Sequence, residues 1–346
     1  MIMSQEKEYR IAGALYGQML GDAMGMPSEL WPRTRVKAHF GWIDRFLDGP
    51  QDNVVARYFK AGEFTDDTAM ALALADALIE CQGEVVPDTI AAHILAWADR
   101  VDAYSKVMLG PSAKIALAAQ KNGAAIRDLE NNGVTNGVTN GSAMRISPLG
   151  CVVPVHSLDR FITDVELASS PTHKSDVAIA GATVIGWAVS QAVEGVCWER
   201  LRDQLPAVAR AAQERRVTTY HASMAARIEL ALDIASHSGG TESTMDRIYQ
   251  LLGTTSDILD SVPSAIAMVE LAGTQPNRCA VLCANLGGDT DTIGAMATTI
   301  CGALHGVEAI DPLWRQQLDD VNRCDIGHYA RQLLALRLKR EKRKDV

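Results

Sequence analysis

Aromatic residues are scarce in this chain: they make up only 5% of its 346 residues, while alanine and methionine are plentiful. Aromatic and β-branched side chains favour strands, whereas alanine and methionine favour helices. Alternation of apolar and polar residues, the pattern of a half-buried strand, is also rare, and the best candidate, residues 151–155, contains Pro154. The sequence therefore predicts an all-α fold.

The seven cysteines form no Cys-x-x-Cys motif, and their number is odd. Several lie in apolar runs, where a free cysteine behaves as a small buried hydrophobic side chain; Cys279 and Cys283 are examples. The first ten residues lack the apolar core of a signal peptide. Residues 177–193 form a weakly polar run that three polar side chains interrupt, so we interpret them as a buried helix. These features favour the reducing cytoplasm and no membrane partner.

The net charge of −9 argues against a nucleic-acid partner for the body of the protein. Residues 337–346 differ, because they carry six basic side chains and two acidic ones. Short charge runs usually face water, so we interpret these residues as a solvated basic tail without an assigned function. The prediction is one domain over residues 1–336, followed by this tail.

Oxygen-bearing side chains alternate in one short stretch near the C-terminal end. After Gly287 and Gly288 come Asp289, Thr290, Asp291 and Thr292, and residues 293–303 then read as an apolar helix. Acids and threonines at the start of a helix cap free backbone N–H groups and favour the positive end of the helix dipole. Capping needs only one or two of them, so this stretch alone is equally compatible with a cap and a metal site.

A second stretch has the same composition. Thr65, Asp66, Asp67 and Thr68 precede a predicted helix over residues 69–80. Two helices that begin in this way can direct their oxygen atoms to one point. Oxygen ligands without histidine or cysteine select hard cations such as Mg²⁺, Mn²⁺ or Ca²⁺ and argue against zinc or copper. Converging carboxylates repel each other unless they are protonated or hold metal, and two ions about 3.5–4 Å apart suit such a set.

Three further stretches contain candidate site residues. A predicted helix over residues 6–20 ends in a segment of small residues that contains two acids, Asp22 and Glu29. The sequence is equally compatible with Glu29 as a site residue and with Glu29 as an acid of a surface loop. Residues 31–62 are rich in proline and glycine and predict a lid. The turn-rich residues 131–141 lead to Arg145 and offer backbone N–H groups and one guanidinium to an anion, although a surface turn explains them equally well.

Helical periodicity covers most of the remaining chain. It predicts helices at 88–100, 112–119, 177–194, 197–214, 218–236, 245–252 and 262–272, and either Ser175 or Asp176 is expected to cap the third of these. We predict a single-domain orthogonal helical bundle with a dinuclear metal centre at two helix N-termini.

Taken in order, these motifs resemble the ADP-ribosylglycohydrolase superfamily, whose best-known members reverse ADP-ribosylation of nitrogenase reductase. The resemblance covers nearly the whole chain and lies in residues 13–25, 64–68, 140–145, 172–173 and 287–295. It implies an all-α bundle with two Mg²⁺ or Mn²⁺ ions. The implied metal ligands are Thr65, Asp66, Asp67, Asp289, Asp291 and Thr292. The implied catalytic carboxylates are Asp66, Asp67, Asp289, Asp291 and Glu29, the last on a mobile loop. Substrate-binding residues would be Asn140, Gly141, Ser142, Met144, Arg145, His173, Gly287 and Gly288.

The resemblance implies hydrolysis at the anomeric carbon of a ribose, where positive charge develops in the transition state. One departure concerns the leaving group: the nitrogenase-regulating members carry an additional acid near the position of Gly110, and residues 107–111 contain none. Small N- or O-ribosides are therefore candidate substrates beside ADP-ribosyl conjugates. The same ligand set is also compatible with a two-metal phosphohydrolase, and the same scaffold with a non-catalytic binding or structural member of the superfamily.

Overall fold

The chain is almost entirely helical in a computed structural model, which describes residues 2–104, 108–123, 137–215, 219–237 and 239–342. In chain order the helices are α1 (Ile2–Gly25), α2 (Arg33–Phe40), α3 (Asp66–Glu80), α4 (Pro87–Val101), α5 (Pro111–Lys121), α6 (Ser147–Val152), α7 (Leu158–Ser169), α8 (Asp176–Val193), α9 (Trp198–Arg202), α10 (Leu205–Glu214), α11 (Met224–Ser236), α12 (Thr241–Arg247), α13 (Ile258–Leu271), α14 (Pro276–Ala284), α15 (Thr290–His305), α16 (Pro312–Asn322) and α17 (Ile326–Lys342). Within these ranges no strand is present, only two isolated bridges that pair Trp31 with Gly288 and Thr139 with Asp257. The predicted all-α fold is confirmed.

Three local predictions were wrong. The candidate strand at 151–155 overlaps α6, which begins at Ser147 with Pro148 in its first turn, a position where the fixed φ of proline suits a helix. The loop-rich residues 31–62 contain α2, whose pattern is too polar to predict a helix. The helix expected over 197–214 is interrupted after Arg202 and continues as α10. The turn residues 131–136 lie outside the described residues.

Glycines bring α1 and α15 into backbone contact. Gly13, Gly17, Gly21 and Gly25 follow one another at four-residue spacing, so they share one face of α1. A Cβ atom on any of the four would lie within 3.0 Å of the backbone of α15 or of the residue that follows it. Only glycine permits this approach, which places the last turn of α1 beside the first turn of α15.

Helix α8 lies in the core. All but one of its residues are buried, and Ser175 caps it by accepting a hydrogen bond from the backbone N–H of Ala178. It is long and apolar enough to cross a membrane by length and composition, but 94% of its apolar window is buried inside the protein. The run at 177–193 is thus a core helix, as predicted.

The last helix, α17, runs through the predicted boundary at residue 336 and reaches Lys342. Arg337 was expected to face solvent with the rest of the basic run, but it is fully buried. Its guanidinium donates to the carbonyls of Gly150 and Cys151 and forms an ion pair with Glu194 at 2.6 Å. Burial of an arginine requires such partners, and they are found only in the folded chain. Residues 343–346 lie outside the described residues, and the division into a domain and a tail stays a prediction.

Candidate metal centre and substrate cleft

The two acidic stretches meet where α3 and α15 begin. Thr65 is the N-cap residue of α3 and Asp289 that of α15, yet neither side chain accepts a capping hydrogen bond from a backbone N–H of its own helix. Capping therefore does not explain the oxygen atoms of these two residues. The hydroxyl of Thr65 is directed instead towards Asp67 and Asp291, and the carboxylate of Asp289 accepts from Asn140.

Hydroxyl groups connect the two helix starts. Oγ1 of Thr65 lies 3.2 Å from Oδ2 of Asp67 and 3.4 Å from Oδ2 of Asp291. Oγ1 of Thr292 donates to the same Asp67 oxygen over 3.3 Å. Residues 65–67 and 289–292 thus form one cluster, as the sequence predicted for two helices that begin alike.

Carboxylate oxygens in this cluster are close enough to share an ion. Asp22, Asp67 and Asp291 each offer an oxygen within 4.8 Å of the others, and Glu29, Asp289 and Asp291 do the same. Asp291 belongs to both groups and so links them. Asp22 was noted in the sequence only as an additional acid; its position directly after Gly21, in the turn of α1 that contacts α15, is the signal that could have located it here.

The pKa values of the acids are raised throughout the cluster. Burial raises the pKa of Asp66 to about 8, with a further contribution from the charge of Asp22. Burial also holds the pKa values of Asp67 and Asp291 well above their ordinary range, and neighbouring carboxylates add to this effect. The pKa of Glu29 is raised well above its ordinary value by burial and by the charges of Asp289 and Asp66. Buried carboxylates of like charge favour protonation unless a cation is bound.

Two buried oxygen atoms show that the cluster suits a cation. Oδ1 of Asp67 and Oδ1 of Asp291 are buried and have no hydrogen-bond partner among the described residues. An unsatisfied buried acceptor is costly, whereas a carboxylate oxygen is a favourable ligand for a hard divalent cation. The donor set is made of oxygen alone, and the predicted ligands Asp66, Asp289 and the two threonine hydroxyls lie in the same cluster. These residues fit a metal centre.

The loop before α15 is held by its backbone. Gly287 and Gly288 both have positive φ, and a Cβ on either would clash with backbone atoms of Arg33 or Thr254. The N–H of Gly288 donates to the carbonyl of Trp31 at 2.8 Å. The two glycines thus shape the loop, and they do not line the cleft described below.

Glu29 is tied to that loop through its neighbour. The N–H of Leu30 donates to the carbonyl of Gly288 at 2.7 Å, and Leu30 adopts a left-handed backbone with φ of 56°. Leucine rarely adopts this conformation, so the surrounding contacts impose it. Glu29 is partly buried and faces Asp289 and Asp291.

A cleft of about 200 Å³ opens beside the cluster. Its wall contains six acids or hydroxyls of the centre and a group of apolar residues that the sequence did not indicate. The lining residues are Glu29, Leu30, Val55, Asp66, Asp67, Met108, Leu109, Gly110, Ala113, Thr139, Asn140, Gly141, Met144, His173, Ser256, Asp289, Asp291 and Thr292. The wall of the cleft therefore combines anionic and apolar side chains. Val55 lies in the segment predicted as a lid, but Met108, Leu109 and Ala113 had no signal beyond ordinary hydrophobicity.

Asn140, Gly141, Met144 and His173, all predicted to bind substrate, do line the cleft. Asn140 also donates from Nδ2 to Oδ2 of Asp289 over 2.6 Å, so it contacts a predicted metal ligand directly. His173 is fully buried, and burial together with the charge of Arg145 lowers its pKa to about 3. A neutral imidazole at this position serves as a hydrogen-bonding group and carries no charge at neutral pH.

The two ring nitrogens of His173 are both engaged. Nδ1 lies 2.7 Å from Oγ1 of Thr172, and Nε2 lies 2.9 Å from Oγ1 of Thr139. The ring also packs on Gly141, where a Cβ would lie 2.8 Å from Cε1 of His173. Gly141 thus leaves room for the ring that supports this side of the cleft.

Arg145 and Ser142 are not brought to the cleft. Arg145 is fully buried, and its guanidinium donates to the carbonyls of Gly141, Ala168 and Ser169. Burial lowers its pKa to about 10. Ser142 is also buried and donates to a backbone carbonyl of α8. The guanidinium of Arg145, predicted to bind an anion, therefore stabilises the turn at residues 140–142 and does not line the cleft.

Comparison with known proteins adds a sequence-wide observation. A sequence model of the ADP-ribosylglycohydrolase family matches residues 3–343. The chain belongs to this family. The resemblance seen in the motifs is confirmed, and the acidic cluster is the metal-binding candidate that a metal-dependent family requires.

Relatives within the family differ widely in similarity. The chain is 62% identical over 335 residues to the uncharacterized protein YegU of Escherichia coli strain K12, which covers 97% of this chain and 99% of that protein. It is 26% identical over 354 residues to the ADP-ribosylhydrolase ARH3 of Xenopus tropicalis, over 95% of this chain and 97% of that one. A solved structure described as an ADP-ribosylglycohydrolase-related protein complex has a TM-score of 0.68 and 22% identity, over 96% of this chain and 99% of that chain. At this identity the structural likeness shows the fold.

Proposed function

We propose that this protein is a metal-dependent glycoside hydrolase that cleaves the anomeric bond of ADP-ribosyl conjugates. Membership of the ADP-ribosylglycohydrolase family and the similarity to a protein named ADP-ribosylhydrolase support this proposal. The observation that carries it is the pair of unpartnered buried oxygens on Asp67 and Asp291 beside an open cleft. A non-catalytic protein would not need to keep two buried acceptors without partners, because each one lowers the stability of the fold.

The cofactor in this proposal is a pair of divalent cations, Mg²⁺ or Mn²⁺. Six residues would hold them: Thr65, Asp66, Asp67, Asp289, Asp291 and Thr292. When bound, the cations would position the vicinal ribose hydroxyls and offset the negative charge of the cluster. Glu29 also lines the cleft, and its carboxylate offers an oxygen within 4.8 Å of those of Asp289 and Asp291.

The chain's own residues contribute two effects to the proposed reaction. Glu29 and Asp66 line the cleft, and their carboxylates would orient the attacking water. The same carboxylates would stabilise the positive charge that develops at the anomeric carbon. Asn140 fixes the rotamer of Asp289 and so keeps one wall of the centre in place.

A small N- or O-riboside is the second candidate substrate. The observation that favours it is the apolar part of the cleft lining, which includes Met108, Leu109 and Ala113 around Gly110. Apolar side chains suit a neutral leaving group and offer no partner to a charged guanidinium. Residues 105–107 lie outside the described residues, so the comparison concerns the described part of this wall.

Calorimetry with ADP-ribose tests the proposal first. We expect binding in the presence of Mg²⁺ or Mn²⁺ and its loss after chelation. Metal-dependent turnover of an ADP-ribosylated protein or peptide would then identify the linkage. Binding of metal without ADP-ribose binding would direct the search to nucleosides and other small ribosides. Absence of metal binding would contradict the proposal and favour a non-catalytic family member.

Variants separate the centre from the general effect of losing an acid at a helix start. Asp66→Asn removes a predicted ligand in the first turn of α3, and we expect turnover to fall by roughly 100-fold or more. The matched control is Asp88→Asn, which removes an exposed acid from the first turn of α4. Equal turnover of both variants would contradict the assignment of the centre.

The proposed location is the cytoplasm. All seven cysteines are free, three of them on α14 and α15 within the core. Free thiols suit a reducing compartment. Fractionation of cells that express the tagged full chain measures the location, and recovery in a membrane or extracellular fraction would contradict it.

A further inference from the structure

Asp22, in the last turns of α1, accepts three hydrogen bonds from the start of another helix. Its Oδ1 accepts from the N–H of Thr65 at 2.9 Å. Its Oδ2 accepts from the N–H of Thr68 at 3.0 Å and from the hydroxyl of Thr68 at 2.6 Å. Asp22 is fully buried, so these bonds are protected from water. Helix α3 is thus capped by a side chain that comes from α1.

This arrangement explains why the cap residue of α3 does not cap it. The hydroxyl of Thr65 is directed at Asp67 and Asp291, inside the acidic cluster. The free N–H groups of the first turn then need another acceptor, because a buried helix start without partners is costly. The carboxylate of Asp22 supplies that acceptor and leaves the Thr65 oxygen available to the centre.

Gln18, one turn before Asp22 in α1, also contacts α3. The amide of Gln18 donates to the carbonyl of Asp67 at 3.2 Å and to the carbonyl of Met144 at 2.8 Å. Gln18 and Asp22 are four residues apart and so lie on the same face of α1. This face contacts backbone groups of Thr65, Asp67 and Thr68 and the hydroxyl of Thr68. The glycine face of α1 contacts α15.

We propose that Asp22 is a positioning residue that sets the distance between Asp67 on α3 and Asp291 on α15. The inference rests on the metal centre of the proposed function, since it concerns how two of its ligands are placed. Asp22 acts through the first turn of α3: it holds Thr65 and Thr68, and the turn between these two residues carries Asp66 and Asp67. Residues that orient metal ligands in this way contribute to metal affinity although they do not bind the ion.

The test measures Mn²⁺ affinity by titration calorimetry of the metal-free full-length chain, together with its thermal stability. Asp22→Asn keeps one oxygen acceptor and places an NH₂ donor opposite the other N–H group at the start of α3, and we expect the affinity to fall roughly 10- to 100-fold. Thr68→Val removes one hydroxyl at similar volume, and its affinity should fall less. Thr68→Ser keeps the hydroxyl and should restore the affinity of the parent chain.

A control variant separates positioning from the loss of a helix cap. Asp311 caps α16 in the ordinary way, by accepting from the N–H of Leu313 at 2.8 Å, and it is not part of the centre. Asp311→Ala removes this acceptor and should lower thermal stability without a change in Mn²⁺ affinity. In the double variant Asp22→Asn/Thr68→Val, the second substitution should add little, because both act through one contact.

The outcomes distinguish the two levels of the proposal. Parent-like Mn²⁺ affinity of both Asp22→Asn and Thr68→Val would overturn the positioning role while the metal centre stands. Complete loss of binding in Asp22→Asn with parent-like binding in Thr68→Val would also overturn it, since Asp22 would then be a ligand itself. No Mn²⁺ binding by the parent chain would overturn the proposed function and this inference together. If Asp22→Asn does not fold, the Thr68 pair decides.

Discussion

The side-chain amide of Asn140 donates to Oδ2 of Asp289 over 2.6 Å, so a turn residue from the middle of the chain holds a carboxylate that lies 149 positions later. A hydrogen bond to the ionised form of a carboxyl favours that form. The bond accordingly lowers the pKa of Asp289, against the burial that raises it. It prepares Asp289 to bind a cation.

We predict that Asn140→Ala weakens Mn²⁺ binding by about 10-fold at neutral pH. Loss of the donor raises the pKa of Asp289, and a protonated carboxyl must release its proton before it binds metal. The loss should therefore be larger at pH 6 than at pH 8, which calorimetry at both values measures. Asn277→Ala is the control, because its amide bonds to backbone groups of Ala309 and Asp311 and to no acid of the centre. Equal losses at both pH values would contradict the electrostatic explanation.

The metal-free protein should become less stable as the pH rises from about 4 to about 8. Asp22 and Asp66 have folded-state pKa values of about 6 and about 8, above the ordinary value of 3.8. Between the ordinary and the raised pKa, the folded chain holds protons that the unfolded chain has released. For each such proton, the free energy of unfolding falls by up to about 1.4 kcal/mol for every unit by which the pH rises.

Thermal melts with chelator at several pH values measure this slope. Saturating Mg²⁺ or Mn²⁺ should remove most of it, because bound cations favour the ionised carboxylates and stabilise the folded chain by binding to it. A chelated protein whose melting temperature is flat from pH 5 to pH 8 would contradict the raised pKa values.

Gly21→Ala should destabilise the protein by about 3 kcal/mol and lower metal affinity as well. Its Cβ would collide with the carbonyl of Gly294 on α15, and both helices carry residues of the centre. Gly327→Ala is the matched control: it lies in the first turns of α17, where a Cβ meets only flexible side-chain ends at 3.3 Å and beyond. Chemical denaturation measures both variants, and a stable Gly21→Ala protein would contradict the tight contact.

Leu30→Asn should raise stability and impair substrate binding at the same time. Asparagine tolerates the left-handed backbone of Leu30 better than leucine does, which is worth up to about 1 kcal/mol. The substitution also removes an apolar side chain from the cleft wall, so we expect a several-fold higher KM. Arg323→Asn, at the left-handed C-cap of α16, should bring the same gain without a kinetic effect. Unchanged KM in Leu30→Asn would exclude Leu30 from the substrate contact.

The sequence predicted the parts of the centre that depend on local order. Threonines and aspartates that precede apolar helices are recognisable from the sequence alone, so both helix starts and their oxygen-bearing residues were predicted. The sequence left open whether Thr65 and Asp289 are caps or ligands, because the two roles use the same residue types. The structure decides the geometry: neither residue caps its own helix.

Other features depend on contacts between distant segments and had no local signal. Arg145 follows a turn and suggested an anion site, but its partners are carbonyls of α7 that only the folded chain provides. The short helix α2 has a polar sequence, and it is anchored by Arg33 through Asp246 at 2.6 Å. Asp22 was seen as an acid, whereas its role as the cap of α3 depends on the packing of α1 against two helices.

The glycine contact between α1 and α15 also constrains the order in which the centre can form during synthesis. The hydroxyl of Thr290 donates to the carbonyl of Gly25, a contact that spans 265 residues of sequence. A nascent chain contains Asp22, Glu29 and the start of α3 long before α15 leaves the ribosome. Until then, these acids lack the residues of α15 that complete the cluster. Contacts of such separation are made late and slow the folding of a chain. Metal uptake is therefore expected to follow, and to report, completion of the fold.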